Sequence, residues 1–496
     1  MKKLLKILAV TVAGLAVVVV GLYFFAARLG INPPGRAGEF IPSLVHSRLK
    51  VPEGFSVGVY AADVPNARML LFTRAGDLLV ANPSEDRILL LDKDEDGDGI
   101  ANGKRLVLDN LNRPNGLDFH GDWLYVAETD AIGRVPFDHS TGTISGDYER
   151  IVTGLPGGGN HWQKTLRFGP DGLMYVTIGS SCNACLEQDK RRGAMLRYQP
   201  DGSGEEIYAR GLRNSAGFDW SPKDGQLYAT DNGRDLLGDD FPPCELNRVE
   251  LNEHYGWPFA NGAGIPDPDF GEGQEEIIAN SLNPVHGFRA HNAPLGIQFV
   301  QGTSLPEYFH GTALVALHGS WNRSEKDGYK VVSLHWDENG NVREENFLTG
   351  FLMGDDVIGR PVELEEGPDG AIYVSDDYAG VIYRVAYGEA QKSVVSQSEL
   401  PPKTLPQFEI QTTLSLLSVD ERHKASKKGP QLVAQYNCMS CHQGVIEGQK
   451  KLSDLGRKYD VETLSLYLEK PRPPMPSYPM SDSDRRSLAI FLIETF

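Results

Sequence analysis

The sequence predicts an all-β six-bladed propeller followed by a small all-α domain, with an N-terminal membrane helix ahead of both. Three observations carry this prediction: a turn-and-strand repeat through the middle of the chain, helical periodicity near its end, and an apolar run at its start. At 496 residues the chain is also too long for one compact core, so at least two folded domains are expected.

The N-terminal segment, residues 1–28, carries three lysines and then an apolar run from Ile7 to Ala27, closed by Arg28. A run of this length can span a bilayer. A cleaved signal peptide is the alternative, although its apolar region is usually only about 7 to 15 residues long. The positive-inside rule sends the rest of the chain outward, so we expect a periplasmic protein anchored to the inner membrane.

A repeat of a turn followed by a short β-rich segment fills residues 50–387. Its six copies begin at Arg74, His120, Gly169, Lys223, His310 and Gly367. Spacings of about 45 to 60 residues, with one longer gap, are typical of four-stranded propeller blades with loop insertions. A β-sandwich is the alternative architecture.

The repeats stop before residues 388–411, a polar, proline-containing stretch that we interpret as a linker. Beyond it, apolar residues at helical spacing predict helices over 420–436, 461–469 and 484–496, the last after a Ser481-Asp482 cap. Residues 415–496 therefore form a small helical domain in this prediction.

Cys438-Met-Ser-Cys441-His442 is the attachment signature of a c-type haem. Its two thiols bond the porphyrin, while His442 ligates the iron. A structural zinc site is the alternative for paired cysteines, but no second Cys or His pair follows at suitable spacing. The sequence therefore predicts that the helical domain is a cytochrome c domain that carries electrons.

The second axial ligand of this haem is predicted to be Met475, between two prolines. Met480 is the alternative, but it directly precedes the helix cap, where an apolar packing residue is equally natural. An electron carrier also needs an acceptor, for which we expect a downstream cytochrome, an oxidase or the quinone pool.

Polar residues recur several positions ahead of the apolar strands, where the innermost strand of each blade should begin. They are Asn112, Arg113, Asn160, His161, Arg213, Asn214, His291, Asn292 and Arg360. Each one taken singly is as well explained by hydrogen bonds to nearby carbonyl groups. As a set, they predict one polar site at the centre of the ring.

At these residues the chain resembles the soluble pyrroloquinoline quinone-dependent sugar dehydrogenases, especially their sorbosone dehydrogenase-like branch. The motifs that carry the resemblance begin at Asn160, Gly211, Thr230, His254, Gly319, Gly328 and Ser375. The resemblance implies that His161 is the general base of a sugar oxidation, with Arg213 as the second catalytic residue. Hydride would pass to the quinone.

The same resemblance implies a set of cofactor-binding residues. Arg213, Lys330 and Arg360 would face the three carboxylates of the quinone, and Asn214 and Trp321 would complete its pocket. The carbonyl groups of Gly233 and Arg234 would hold a calcium ion, which takes oxygen ligands. Two positions depart from the pattern of the family, Ala216 and Cys244.

An acidic loop offers a second calcium site. Asp92, Asp94, Asp96 and Asp98 alternate at near calcium-loop spacing, although the closing acidic residue of an EF-hand is missing. Carboxylates this close repel one another unless a cation neutralises them, so we predict a structural calcium ion here. A solvated acidic turn is the alternative.

Cys182-Asn-Ala-Cys185 follows another strand, and Cys244 is left as an odd thiol. Export favours a disulfide, and a structural bridge is favoured over a redox relay. Pairing of either cysteine with Cys244 remains open at this point.

Together these features predict a quinohaemoprotein dehydrogenase that oxidises a sugar, aldose or polyol and passes the electrons to its own haem. The alternatives are a calcium-dependent lactonase and a non-catalytic carbohydrate-binding or sensory propeller, because a fold alone does not set function. Nucleic acid is excluded as a partner by the net charge of -19 and the pI near 5.1.

Overall fold

The computed structural model describes residues 31–33, 38, 40–388, 419–436, 438, 442, 455, 461–469, 471 and 478–495. The chain divides into two compact units, Met1–Ser396 and Gln397–Phe496, each with its own core. The predicted membrane segment lies outside the described residues. Within the described part, no helix is both long and apolar enough to cross a membrane.

The first unit opens with helix α1 (Pro42–Arg48) and strand β1 (Phe55–Ala61), and its six large antiparallel sheets then follow as blades. Blade 1 contains β2 (Leu70–Phe72), β3 (Leu78–Asn82), β4 (Arg87–Asp92) and β5 (Gly103–Leu108). Blade 2 contains β6 (Gly116–His120), β7 (Trp123–Ala127), β8 (Ala131–Asp138), β9 (Thr143–Ile144) and β10 (Glu149–Thr153).

Blade 3 contains β11 (Lys164–Phe168), β12 (Met174–Ile178), β13 (Ala194–Tyr198) and β14 (Glu206–Arg210). Blade 4 contains β15 (Phe218–Trp220), β16 (Leu227–Asp231) and β17 (Cys244–Arg248), then an insertion with the hairpin β18 (Ala260–Asn261) and β19 (Ile265–Pro266) and helix α2 (Glu275–Asn280), and finally β20 (His286–Phe288).

Blade 5 contains β21 (Pro294–Phe299), β22 (Ala313–Leu317), β23 (Lys330–Trp336) and β24 (Val342–Leu348). The hairpin β25 (Leu352–Met353) and β26 (Asp356–Val357) leads to blade 6, with β27 (Pro361–Glu366), β28 (Ile372–Asp376) and β29 (Val381–Tyr387). Strand β1 completes blade 6 by pairing with β29, from Phe55 opposite Tyr387 to Ala61 opposite Ile382. The six-bladed propeller is therefore confirmed, and its two chain ends close the ring.

The repeated turns explain why the blades look alike in sequence. In the turn before β12, Asp171 accepts the Leu173 N–H at 3.1 Å and the Tyr175 hydroxyl at 2.9 Å. The turn before β28 repeats this geometry, with 3.2 Å and 3.0 Å for the same two bonds to Asp369. The glycine that follows each aspartate has a positive φ, 75° at Gly172, which side chains disfavour.

The first strand of each blade is the innermost one. Inner strands of neighbouring blades pack on each other, as β2 does on β6 and β27, β6 on β11, and β21 on β15 and β27. Because all six inner strands run in the same direction along the ring, they begin at the same end of the propeller. We call that end the entrance.

The second unit contains helices α3 (Val419–Gln435), α4 (Val461–Glu469) and α5 (Asp482–Thr495). Their apolar faces form one core that includes Leu432, Leu464 and Leu488. The Ser481 hydroxyl accepts the Asp484 N–H at 3.2 Å, which is the predicted cap. The three predicted helices are confirmed, and their ends differ from the prediction by no more than two residues.

Candidate active site

The predicted polar residues do lie where inner strands begin. They immediately precede β6, β11, β15, β21 and β27, so the structure brings them to the entrance. At the sixth inner strand, Arg68 precedes β2 at the same phase and was missed by sequence reasoning. Only the position of Arg68 just before β2 could have indicated its role, because no second polar residue stands beside it as in most other blades.

His161 is fixed in one tautomer by its neighbours. Its Nδ1 lies 3.0 Å from the Ser180 carbonyl oxygen and 2.9 Å from the Ser180 hydroxyl. A carbonyl oxygen only accepts hydrogen bonds, so we assign the proton to Nδ1 and the lone pair to Nε2. The Ser180 hydroxyl itself donates to the Cys182 carbonyl at 2.7 Å. Nε2 makes no hydrogen bond within the described part of the chain.

The surroundings of His161 also keep its ring uncharged. Burial first, and then the positive charges of Arg213 and Arg192, lower the pKa of His161 to about 3. At neutral pH the imidazole is therefore neutral, and its Nε2 can accept a proton.

A glycine allows His161 and Asn214 to meet. A Cβ atom on Gly179 would lie 2.5 Å from the His161 Cβ and 2.8 Å from the Asn214 Oδ1. Both distances are too short for a side chain at this position, so Gly179 keeps the two residues together. Trp321, the other predicted pocket residue, lies in the loop after β22 and is 39% exposed.

Arg213 is buried and engaged by the protein itself. Its Nε donates to the Asn183 carbonyl at 2.8 Å, and its Nη1 donates to the Asn232 carbonyl at 3.0 Å. Its Nη2 donates to the Asn183 Oδ1 at 2.9 Å and to the Asp235 carboxylate at 3.1 Å. These bonds hold a positive charge beside His161. We call His161, Ser180, Asn183, Arg213 and Asp235 the histidine–arginine cluster.

A second group of charges lies at the entrance where blades 5, 6 and 1 meet. Asp377 accepts the Arg68 guanidinium at 2.6 Å and the His318 Nε2–H at 2.8 Å. Arg360 donates to the carbonyl oxygens of His318 and Gly319, at 3.1 and 3.2 Å. We call Arg68, His318, Arg360 and Asp377 the two-arginine cluster; sequence reasoning found only Arg360 among its members.

The two-arginine cluster carries excess positive charge. Burial first, and then Arg360, lower the pKa of His318 to about 4, so this imidazole is neutral at pH 7. Asp377 lies against both guanidinium groups, and Asp376, which accepts the Arg360 N–H, is only partly ionised at pH 7 because burial raises its pKa to about 7. In addition, the Arg68 Nε is buried and lacks a hydrogen-bond partner among the described residues. Such an arrangement suits an anionic ligand.

The two clusters are connected around the entrance by a series of contacts. The contacts are His291 Nδ1 to Asp235 at 3.9 Å, the Gly319 N–H to the Asn292 carbonyl at 3.0 Å, and the Arg113 guanidinium 3.7 Å from the centre of the Trp162 ring. Together with the bonds from Arg360 to His318 and Gly319, these contacts extend from blade 2 to blade 6 around the entrance.

Buried carboxylates hold the entrance loops of alternate blades. In each case a carboxylate at the end of a second strand accepts the N–H of an entrance residue. The pairs are Glu128 with Asn112 at 2.6 Å, Asp231 with Arg213 at 2.9 Å, and Asp376 with Arg360 at 2.9 Å. Burial raises the pKa of both Asp231 and Asp376 to about 7. Sequence reasoning gave these acids no role.

Lys330 departs from its prediction. Its ammonium lies 3.0 Å from the Asn346 Oδ1 and 3.6 Å from the Glu344 carboxylate, both on β24, the outermost strand of blade 5. The preceding residue, Tyr329, is the buried one, and the Arg360 guanidinium lies 5.8 Å from its ring. Because successive residues face opposite ways, Lys330 joins the outer strand instead of the entrance.

The predicted calcium ligands divide into two groups. The Gly233 and Arg234 carbonyl groups accept no hydrogen bond within the described part, while the Arg234 side chain binds Asp267 at 2.7 Å and Asp269 at 2.9 Å. In the acidic loop, ligand atoms of Asp94, Asp96 and Asp98 lie within 4.8 Å of one another.

Asp92 does not belong to that acidic group, contrary to the prediction. Its carboxylate binds the Arg105 Nε at 3.2 Å across the β4–β5 pair. Asp94 instead accepts the N–H groups of Gly97 and Gly99, both at 2.7 Å. The acidic loop therefore begins at Asp94, two residues later than the spacing predicted.

Cys182 and Cys185 form a disulfide, and Cys244 is a buried free thiol. The structure thus supports the predicted bridge and excludes pairing with Cys244. In the second unit, Cys438 and His442 are described individually, whereas Cys441 and Met475 lie outside the described residues. Met480 is buried in the helical core, as expected for a packing residue.

Comparison with known proteins identifies the propeller. A family model described as glucose/sorbosone dehydrogenase matches residues 123–384, more than half of the chain. The chain belongs to the glucose/sorbosone dehydrogenase family. An uncharacterised protein of Borreliella burgdorferi is 30% identical over 360 residues, covering 69% of this chain and 92% of its own length.

Two further proteins are similar to this chain. Pyrroloquinoline quinone-dependent pyranose dehydrogenase of Coprinopsis cinerea is 23% identical over 68% of the chain and 54% of that enzyme. The holo form of its PQQ domain superposes with a TM-score of 0.58 at 20% identity, covering 72% of this chain and all of that domain. The calcium structure of a Trichoderma reesei protein of Carbohydrate-Active Enzymes Family AA12 superposes with a TM-score of 0.60 at 20% identity. The match covers 68% of this chain and 97% of that chain. These structures share the fold.

Proposed function

We propose that this glucose/sorbosone dehydrogenase oxidises a sugar, aldose or polyol with pyrroloquinoline quinone (PQQ) at the entrance, and passes the electrons to its own c-type haem. One observation carries the proposal: the neutral imidazole of His161, whose Nε2 makes no hydrogen bond among the described residues, shares the entrance with the Arg68 and Arg360 guanidinium groups, which both lie against Asp377. This combination provides a proton acceptor beside a site for an anion.

The residues at the entrance fit PQQ, a planar tricarboxylate. Arg68 and Arg360 would hold its carboxylates, since their positive charges exceed the charge of Asp377 and the buried Arg68 Nε–H has no acceptor among the described residues. The indole of Trp162, under Arg113, offers a flat face nearby. When bound, PQQ supplies the acceptor for the substrate hydride.

In the oxidation, the Nε2 atom of His161 accepts the proton of the substrate hydroxyl. Ser180 holds the ring by its Nδ1–H, so that the basic lone pair cannot turn away. Arg213 disfavours premature protonation of the imidazole, because it is a fixed positive charge close to the ring. Its own N–H groups bind the protein, so its proposed role is electrostatic.

Calcium is part of the proposal, since the Trichoderma reesei relative was solved as a calcium structure. The carbonyl groups of Gly233 and Arg234 would hold this ion, because they are hard oxygen donors without hydrogen bonds among the described residues. Asp94, Asp96 and Asp98 would hold a second, structural ion.

The haem would be attached to Cys438 and Cys441, and His442 and Met475 would bind its iron. The attachment signature and the helical unit around it support this part of the proposal. The acceptor would be a downstream cytochrome, an oxidase or the quinone pool, and the protein would be periplasmic and anchored by residues 1–28 to the inner membrane.

The first experiment tests oxidation alone. The purified full-length protein is incubated with PQQ and calcium chloride, and a panel of sugars, aldoses and polyols is assayed with a dye that accepts electrons. We expect turnover that requires PQQ and is lost in His161→Ala. Binding of PQQ without turnover on any substrate would refute the proposed function.

The second experiment tests the haem separately. Protein expressed with the c-type maturation system should retain haem after denaturation, and Cys438→Ser/Cys441→Ser should not. That double variant should still reduce the dye but should no longer reduce an added cytochrome. Equal cytochrome reduction by both proteins would rule out electron transfer through this haem.

A further inference from the structure

The disulfide of blade 3 closes a small ring around one of the residues that hold Arg213. Cys182 and Cys185 enclose Asn183, which forms four hydrogen bonds to residues of blade 4 or its entrance loop. Its carbonyl and Oδ1 accept from Arg213 at 2.8 and 2.9 Å. Its Oδ1 also accepts the Asp235 N–H at 2.7 Å, and its Nδ2 donates to the Asp235 carbonyl at 3.0 Å.

The same disulfide ring is also connected to His161, through the hydroxyl of Ser180. The Cys182 carbonyl accepts the Ser180 hydroxyl at 2.7 Å, and the oxygen of that hydroxyl lies 2.9 Å from His161 Nδ1. Ser180 is fully buried, and its N–H donates to the Arg213 carbonyl at 2.8 Å. One covalent ring thus fixes the positions of both the imidazole and the guanidinium.

We propose that the loop from Ser180 to Cys185, closed by the Cys182–Cys185 disulfide, is a positioning element for the reaction, with Asn183 and Ser180 as its positioning residues. Opening the ring leaves the fold intact and lets Arg213 and His161 move relative to each other. A displacement of about 1 Å at a reacting group can lower a rate about 100-fold. This inference rests on the proposed function of His161.

The disulfide ring contributes little to the global stability of the protein. A bridge between residues only three apart constrains the unfolded chain far less than one that closes a long loop. The positioning role therefore predicts a large effect on kcat together with a small effect on the melting temperature.

Three variants and one control separate the contributions. Cys182→Ser/Cys185→Ser opens the ring, Asn183→Ala removes the Oδ1 and Nδ2 contacts, and Asn183→Asp keeps an oxygen for Arg213 and the Asp235 N–H. The control is Asn341→Ala, because Asn341 makes comparable turn contacts to Asp337, at 2.9 Å, in the hairpin between β23 and β24.

Activity is measured as kcat and KM with saturating PQQ and calcium. We expect kcat to fall about 10- to 100-fold in the opened ring and in Asn183→Ala, with KM changing less than threefold. Asn183→Asp should recover part of the loss, and Asn341→Ala should match the wild type. Equal kcat in all proteins would overturn the proposal.

A second readout does not depend on turnover. Nitrogen-15 spectra of the histidine rings in the cofactor-free protein report the tautomer and pKa of His161, with His161→Gln identifying its signal. In Asn183→Ala we expect this pKa to rise by roughly one unit, because Arg213 loses the Asn183 Oδ1 and, on its remaining bonds to Asn232 and Asp235, can move away from the imidazole. An unchanged pKa and tautomer of His161 in both Cys182→Ser/Cys185→Ser and Asn183→Ala would also overturn the proposal.

The two readouts distinguish this inference from the proposed function. If the wild type turns over no sugar, the proposed function fails, yet the imidazole spectra still decide whether the loop positions His161. Reduction of the wild-type disulfide, followed by alkylation and removal of the reagents, should reproduce the spectrum of the double cysteine variant.

Discussion

The two clusters at the entrance contain the same residue types, but their arginines have different roles. In the histidine–arginine cluster, Arg213 is satisfied by two carbonyl groups, an amide oxygen and Asp235. In the two-arginine cluster, Asp377 lies against both guanidinium groups while Asp376 is only partly ionised at pH 7, and the buried Arg68 Nε–H lacks an acceptor among the described residues. A satisfied cation tunes its neighbours, whereas an undercompensated one binds anions. We therefore expect the first cluster to govern kcat and the second to govern cofactor affinity.

The largest expected effect belongs to the first cluster. His161→Gln should lower kcat by about 10²- to 10⁴-fold, because it removes the proton acceptor at Nε2. The dissociation constant of PQQ, measured by calorimetry, should change little. His120→Gln is the matched control, since His120 ends β6 at the opposite end of the propeller. A similar loss in both variants would contradict the assignment.

Arg360→Gln tests the second cluster. A hydrogen bond to a charged group contributes about 1.5 to 3 kcal/mol, so PQQ should bind about 10- to 150-fold more weakly. At saturating PQQ, kcat should stay within about threefold of the wild-type value. If kcat falls while affinity is unchanged, the division of roles between the clusters is wrong.

The pH dependence of stability offers an intermediate test at His318. Its pKa is about 4 in the folded protein and near 6.5 when unfolded, so the unfolded state binds the proton first on acidification. Because the fold keeps His318 neutral, the free energy of unfolding decreases as the pH falls from about 6.5 to 4, by up to about 1.4 kcal/mol per pH unit. Above about pH 6.5 it has no such effect.

His318→Gln keeps an N–H donor for Asp377 but cannot titrate. Melting temperatures of the wild type and the variant should be compared between pH 7.5 and 4.5. We expect the wild type to lose stability relative to the variant on acidification, by a few degrees overall. A difference that is constant with pH would show that His318 has the same pKa in the folded and unfolded states, so that the fold does not hold it neutral.

The smallest effect is expected at the acidic loop. Calcium chloride should raise the melting temperature by a few degrees if Asp94, Asp96 and Asp98 hold an ion, through mass action on the folded state. Asp96→Asn should reduce this shift, and Asp92→Asn should not, because Asp92 binds Arg105. The same shift in both variants would place the ion elsewhere.

The sequence was sufficient for the architecture and for part of the site. The turn repeat predicted six blades because its copies share a turn followed by a short apolar strand, and three of them also share an aspartate that accepts a tyrosine hydroxyl, at Asp171, Asp224 and Asp369. The phase of the polar residues relative to the strands placed His161, Arg213 and Arg360 at the entrance. Both inferences depend on local periodicity, which a sequence displays directly.

What the sequence could not supply was the direction of individual side chains and the contacts between blades. Lys330 lies at the right end of the propeller but contacts Glu344 on the outer strand. Arg68 and Asp377 are more than 300 residues apart and meet only because the ring closes. Likewise, nothing in the spacing of Cys182 and Cys185 shows that Asn183 between them binds Arg213.

The central claim is that the entrance of the propeller oxidises a sugar through His161. The most direct measurement is the anaerobic visible spectrum of the full-length protein, loaded with PQQ and calcium, before and after a sugar is mixed in. We expect PQQ and then haem to be reduced in the wild type, and neither to be reduced at a comparable rate in His161→Gln. Reduction at equal rates in both proteins would contradict it.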